Sequence, residues 1–259
     1  MKNYFALVTA RMSSTRLPGK CLQPIAKDVS LVQVVIRRAM KIGCPVILTT
    51  TDDTSDNGLE EIAKIERIEC FRGALKNKIR RWHDCFEKYD ISHGLLVDGD
   101  DPTFDFNVGR RALDTLREDG AELIMSDPKL TPGFFTYGIS RKGIQKLYNL
   151  VPDASINTDV ITEYVAQAKL SKVYVKPRTG ETLGHNVRLT IDYPEDVEFY
   201  RALHGVIDYM EPSPKIVKAC LENNFQKINW HKHDEFLKNQ KVFNQQVKSN
   251  LEIKENNYE

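Results

Sequence analysis

The feature that most restricts how this chain can fold is an alternation, over its first half, of short apolar runs and longer amphipathic ones. Residues 4–9, 46–50, 68–71, 94–97 and 122–125 are too short for stable helices and rich in Val, Ile, Leu, Phe and Thr, so they predict strands. Between them, residues 31–42, 59–65, 75–89 and 108–117 carry apolar side chains at helical spacing; Leu31, Val32, Val35, Ile36, Ala39 and Met40 form the first such stripe. A strand–helix–strand order joins parallel strands through right-handed crossovers. The chain therefore predicts an α/β fold, a Rossmann-like, mostly parallel sheet in three αβα layers. Ligands of such sheets gather at the carboxyl ends of the strands.

The second half is less regular. Residues 134–140, 173–176 and 187–191 predict strands, while Arg141–Leu150, residues 158–169 and the stretch after Pro194 predict helices. Beyond Trp230 the chain turns polar, and from Asn239 it is rich in Asn, Gln, Lys and Glu, the composition of a frayed helix or a disordered tail. The expected division is one domain over residues 1–230 and a polar extension over 231–259. No internal repeat is evident.

Several function classes fall away on composition. Lys and Arg number 37 against 36 Asp and Glu, so the basic excess of a nucleic-acid binder is missing. No run approaches the ~18 apolar residues of a membrane helix, and the apolar stretch at residues 5–8 is too short for a signal-peptide core. The five cysteines are odd in number and form no CxxC pair, which predicts reduced thiols and a cytoplasmic protein.

Three segments carry chemistry. Residues 10–20 read ARMSSTRLPGK, placing Arg11, Arg16 and Lys20 with Ser13 and Ser14 in a loop leaving the first strand. Arginine forks and a lysine charge suit phosphate oxygens, although the segment is not a GxxxxGK[ST] loop; the alternative is a basic surface loop. Residues 95–102 read LLVDGDDP, an apolar strand emptying into Asp98, Asp100 and Asp101. Adjacent carboxylates repel unless solvated or bridged by a cation. Magnesium takes carboxylate, phosphate and water oxygens; the alternative is a helix-capping turn. Residues 188–196 read RLTIDYPED, ending a strand candidate at Asp192, with Pro194 set to start a helix and Asp196 in its first turn.

Taken in order, ARxxSxRLPGK, GD-x-P and RLT-[IV]-D-x-PED resemble the cytidylyltransferase group, which includes CMP-Kdo synthetases and SpsF-like spore-coat polysaccharide proteins. The resemblance covers roughly residues 4–205. It implies a fold of the nucleotide-diphospho-sugar transferase (GT-A-like) type and a Mg²⁺-dependent attack of an acceptor hydroxyl on the α-phosphate of a nucleoside triphosphate, CTP, releasing pyrophosphate. Arg11, Lys20, Asp100 and Asp192 are then the catalytic set. Asp100 and Asp192 hold the metal, and Arg11, Arg16 and Lys20 hold the triphosphate with Ala10, Ser13 and Ser14. Asp98 lies at a position that varies in the family and is assigned to the nucleotide. The stretch from Thr49 to Asp53 resembles the family's TTDD-like strand end, which puts Asp52 or Asp53 near ribose or base, a turn role being the alternative. Phe71-Arg72-Gly73 resembles its FRG element, which turns Arg72 to the site.

Residues 76–82, KNKIRRW, depart from the family, which has an acidic pair before Arg-Tyr; this more basic wall suits an anionic acceptor. Arg188 is the expected ligand of an acceptor carboxylate or phosphate, and His185 a second acceptor contact. The implied partners are CTP, a small anionic sugar-like acceptor for surface polysaccharide synthesis, and a second copy in a homodimer, with no nucleic acid or membrane. Two other readings compete. One is a GT-A glycosyltransferase using Asp98-Gly99-Asp100 as its DxD element; the other is a non-catalytic nucleotide-binding protein.

Overall fold

The computed structural model describes residues 3–118 and 120–256. In chain order the elements are β1 (Tyr4–Thr9), β2 (Pro24–Ala26), β3 (Val29–Ser30), α1 (Leu31–Met40), β4 (Val46–Thr51), α2 (Asn57–Glu66), β5 (Glu69–Gly73), α3 (Lys78–Lys88) and β6 (His93–Asp98). There follow α4 (Phe106–Glu118), β7 (Leu123–Ser126), β8 (Tyr137–Ser140), α5 (Arg141–Leu150), α6 (Thr162–Gln167), β9 (Lys172–Val175), α7 (Pro194–His204), α8 (Ser213–Glu222) and α9 (His233–Asn256). Among the described residues, seven strands form one sheet in the order β5-β4-β1-β6-β8-β7-β9. The ladders β5-β4-β1-β6 and β7-β9 are parallel, and β8 runs antiparallel to both its neighbours.

Side-chain alternation along the strands builds the layers. Ala6 and Val8 of β1, with Leu95 and Val97 of β6, enter one core with α1, α4, α7 and α8. Leu7 and Leu96, one residue out of phase, enter the other with α3, α5 and α6. Period-two patterning with apolar residues at both phases is what a sheet covered on both faces requires. The chain builds β1, β4 and β5 outward on one side and then returns to place β6 on the other side of β1. That reversal is the topological switch point, and it opens a crevice at the carboxyl ends of β1 and β6.

The second half differs from expectation in three places. Residues 187–191 are irregular, not a strand. Their alternating Val187, Leu189 and Ile191 are buried as a strand's would be, but no neighbouring strand serves their backbone. The Leu189 carbonyl accepts from the Tyr200 hydroxyl (2.6 Å), the Arg188 carbonyl from Asn229 Nδ2 (3.0 Å), and Ile191 N–H donates to the Asp100 carbonyl (2.9 Å). The helix expected over residues 158–169 shrinks to α6, because Thr158 and Asp159 are engaged by Asn77 and Arg11. The polar end of the chain contains the ordered helix α9, which packs on α6 and sends Phe243 and Val247 to the second core. No helix among the described residues is long and apolar enough to cross a membrane.

Candidate functional site

Three turns converge at the switch point, each fixed by a short-range constraint. At the end of β1, Thr9 Oγ1 pairs with Thr49 Oγ1 (2.9 Å) and accepts from Trp82 Nε1 (2.8 Å). The following loop is pinned where Met12 N–H donates to Asp56 Oδ1 (2.7 Å), while the other oxygen of Asp56 accepts from Thr50 and Thr51. At the end of β6, Gly99 N–H donates to the Thr9 carbonyl (2.9 Å). A Cβ at Gly99 would lie 2.6 Å from that carbonyl oxygen and 2.9 Å from Ala10 Cβ, so only glycine allows the acidic turn to approach the basic loop this closely. The bond from Ile191 N–H to Asp100 then draws the third segment in and sets Asp192 beside Asp100.

The result is a buried charge cluster. Lys20 Nζ donates to Asp100 Oδ2 (2.7 Å), Asp192 Oδ1 (3.1 Å) and the Ile191 carbonyl (2.6 Å). Arg16 also pairs with Asp192. Arg188 lies behind, donating through Nη2 to Asp192 Oδ2 (2.9 Å) and through Nε to Asp196 Oδ1 (2.9 Å). Burial opposes the Lys20 charge, but Asp100 and Asp192 more than offset it and hold the ammonium well above its usual pKa. Burial likewise opposes the Asp192 carboxylate, yet Lys20 and Arg16 bring it down to about 2. Asp98 and Asp101 line the crevice half-buried. Burial raises both, and neighbouring carboxylates add to it, strongly so for Asp101; the Lys78 ammonium 3.7 Å from Asp98 works against the rise there.

Two carboxylate oxygens from separate segments thus meet on a single positive charge. That is the donor set of a hard, oxygen-seeking cation. Among the described residues no group of three or more His, Cys, Asp or Glu side chains is arranged to hold a metal. A cation held by Asp100 and Asp192 would draw the rest of its shell from water and phosphate oxygens.

Around the cluster is a cavity of about 550 Å³. Of the residues singled out in the sequence, Ala10, Arg11, Ser14, Arg16, Lys20, Asp98, Asp100, His185, Arg188 and Asp192 line it. Arg11 is paired with Asp159 on the far rim, and His185 Nε2 lies 2.9 Å from the Lys129 carbonyl. Arg188 is 3% exposed, sandwiched between the rings of Phe236 (4.5 Å) and Tyr193 (5.2 Å), its guanidinium committed to Asp192 and Asp196. Ser13, Asp52 and Arg72 do not line the cavity. Arg72 binds the Thr51 and Asp53 carbonyls with Asn57 and Glu60, tying β5 to the strand end beside it. Cys21 is buried, and its thiol is pushed up to about 11 by that burial, against the pull of Lys20, which keeps it in the unreactive thiol form.

Sequence reasoning passed over Asp159 and one face of α9, and took Arg81 only as part of the basic stretch 76–82. Arg81 is 1% exposed, lines the cavity, and holds a buried Nε with no hydrogen-bond partner. Its signal was present: Lys78, Arg81, Trp82 and Cys85 share one helical face, and a cation on the apolar stripe marks a buried role. From α9, His233, Phe236, Asn239, Gln240 and Phe243 reach the cavity.

An uncharacterized protein of Methanocaldococcus jannaschii is 20% identical over 224 residues, covering 81% of this chain and 91% of that protein. The 3-deoxy-manno-octulosonate cytidylyltransferase of Photobacterium profundum is 27% identical over 131 residues, but the match spans only 47% of this chain and 49% of that enzyme. A cytidylyltransferase from Leptospira borgpetersenii superposes with a TM-score of 0.76 over 87% of this chain and 97% of its own, at 22% identity, a likeness of fold. The cytidylyltransferase family model matches residues 5–206, a span that holds the basic loop, the acidic turn and Asp192. This chain therefore belongs to the cytidylyltransferase family and is a nucleotidyltransferase.

Proposed function

We propose that the chain transfers CMP from CTP to a hydroxyl of a sugar-acid-like acceptor and releases pyrophosphate, as a step toward a surface polysaccharide. The observation that carries this reading is the meeting of Asp100 and Asp192 on one cation beside the Arg11–Arg16 loop. Asp100 and Asp192 would hold Mg²⁺, which in this chemistry polarises the α-phosphate and lowers the pKa of the attacking hydroxyl. Arg16 and Lys20 neutralise the two carboxylates in the free enzyme. With nucleotide bound, they and Arg11, all on the cavity wall, would turn to phosphate oxygens and offset the charge of the leaving pyrophosphate. Arg188 and Asp196 fix the orientation of Asp192, so the attack geometry is set before substrate arrives. No protein nucleophile is required. Family membership supports cytidine as the base, and the octulosonate enzyme among the relatives supports the acceptor class. A homodimer and a cytoplasmic location complete the reading, the latter in keeping with five unpaired cysteines.

The test is pyrophosphate release with each NTP, with and without Mg²⁺, across a panel of sugar acids and sugar phosphates. CTP and Mg²⁺ together should be required. Silence with every NTP would overturn the proposal. The glycosyltransferase alternative predicts instead breakdown of a nucleotide sugar with no NTP present; Asp98 of its DxD element pairs with Lys78.

A further inference from the structure

The family match ends at residue 206, yet α9, beginning at His233, forms part of the cavity wall. His233, Phe236, Gln240 and Phe243 recur at steps of three and four residues, with Asn239 beside Gln240, which is one face of a helix. That face is held in place at both ends. Phe236 stacks on the guanidinium of Arg188 at 4.5 Å, and Val247 is 4% exposed in the core that contains Trp82 and Tyr164. Asn239 Nδ2 donates to the Tyr193 hydroxyl (3.2 Å), which orients its amide within the wall.

The chemistry of this wall differs from that of the rest of the cavity. Apart from Arg188, the cations of the rest of the cavity, Arg11, Arg16, Lys20, Lys78 and Arg81, come from the loop after β1 and from α3. The α9 face brings two phenyl rings, two carboxamides and a single imidazole, with no fixed charge. Carboxamides both donate and accept, so they read hydroxyl pairs, and flat apolar rings accept the C–H face of a saturated ring. Arg188, the cation expected to meet an acceptor carboxylate, is instead sealed between Phe236 and Tyr193.

We infer that α9 is the acceptor-selecting wall of the site, with Gln240 and Asn239 reading hydroxyls on an uncharged, polyhydroxylated part of the acceptor away from the reacting oxygen. The inference rests on the transferase reading above. It places acceptor choice in a segment outside the family match, while nucleotide binding stays within it.

The decisive experiment compares wild type with Gln240→Leu and Asn239→Ala in pyrophosphate release, using CTP, Mg²⁺ and the best acceptor from a panel of sugar acids, sugar phosphates and neutral polyols. Each variant removes one hydrogen-bonding amide from a solvent-lined face and should fold. The expected result is a rise of about three- to tenfold in acceptor KM for each, with CTP KM and the melting temperature unchanged. Gln240→Glu should discriminate further by penalising anionic acceptors more than neutral ones. Unchanged acceptor KM in an active wild-type background refutes the role of α9. An equal rise in CTP KM refutes it as well, because the wall would then serve the nucleotide. A wild-type enzyme silent with every acceptor refutes the transferase reading first, and this inference falls with it.

Discussion

Asp196 is the residue on which the second acidic segment turns, and replacing it isolates what that segment contributes. Its carboxylate is fully buried and takes hydrogen bonds on both oxygens. Oδ1 accepts from Arg188 Nε and Asn229 Nδ2, and Oδ2 from Arg188 Nη2 and the backbone N–H groups of Asp192 and Tyr193, at 2.8–3.1 Å. Asp196→Asn keeps the shape but sets an NH₂ group against donors whichever way the amide turns. It also leaves the Arg188 guanidinium, 1% exposed, with only Asp192 as a charged partner. Breaking a buried, hydrogen-bonded ion pair from one side costs about 3–5 kcal/mol, a large share of the 5–15 kcal/mol that typically holds a domain folded. Urea unfolding followed by tryptophan fluorescence should show a lower midpoint at unchanged slope, with that loss on extrapolation. Removing both charges in Arg188→Met/Asp196→Leu should be milder than the sum of the single changes. A loss under about 1 kcal/mol for Asp196→Asn, or strict additivity in the double variant, would refute the assignment of Asp196 as the buried anchor of Arg188 and Asp192.

Asp100→Asn and Asp192→Asn should each lower turnover by about 10²-fold or more while the protein stays folded by circular dichroism; full activity in either removes it from the proposed metal site. Lys20→Met should raise CTP KM and cut turnover by about 10²–10³-fold, as loss of a charge aimed at the developing oxyanion does; a steady-state rate comparison checks this. His204, whose ring lies 5.4 Å from that of Tyr200 at a tilt of 35°, has its pKa lowered to about 4 by burial, with the nearby Arg38 charge adding to the effect. The folded value lies below that of the unfolded chain, about 6.5, so the unfolded state takes up the proton first. Stability from this group is present above about pH 6.5 and is lost as pH falls toward 4, a span worth about 3 kcal/mol. His204→Phe should flatten stability across that window in chemical denaturation, and an unchanged pH profile counts against it. A thiol reagent followed by mass spectrometry should label at most Cys44 and Cys70 in the native protein, because Cys21, Cys85 and Cys220 are buried.

Legibility tracked the range over which the sequence signal acts. Strands β1, β4, β5 and β6 and helices α1, α3 and α4 were readable because their periodicities are local and both faces of the sheet are covered. The antiparallel insertion of β8 between β6 and β7 was not, since four residues of Tyr-Gly-Ile-Ser carry no mark of pairing direction. Residues 187–191 alternate like a strand because alternate side chains enter the core; what decides against a strand is where the backbone hydrogen bonds go, and those partners are Tyr200, Asn229 and Asp100. Helix α9 was obscured by composition. Its apolar contacts, Phe236, Phe243 and Val247, are spaced seven and four apart, a true helical stripe diluted by Lys, Asn and Gln.

The same distinction separates the two halves of the site. Arg11, Arg16, Lys20, Asp100 and Asp192, which the structure gathers around one cavity, were recognisable as candidates because the demands of phosphate and metal chemistry confine the residue types and their order. Arg188 was recognisable as a cation near the site but not as a sequestered one, since its fate depends on Asp196 four residues after Asp192 and on Phe236 in a distant helix. Acceptor recognition has no comparable chemical alphabet; neutral hydroxyls are met by amides and rings that elsewhere are ordinary surface residues. A sequence can therefore expose the group-transfer chemistry of such an enzyme while hiding its acceptor. In this chain the proposed acceptor wall lies along α9, where the polar character that suggested a frayed or disordered tail is the character a hydroxyl-reading wall requires.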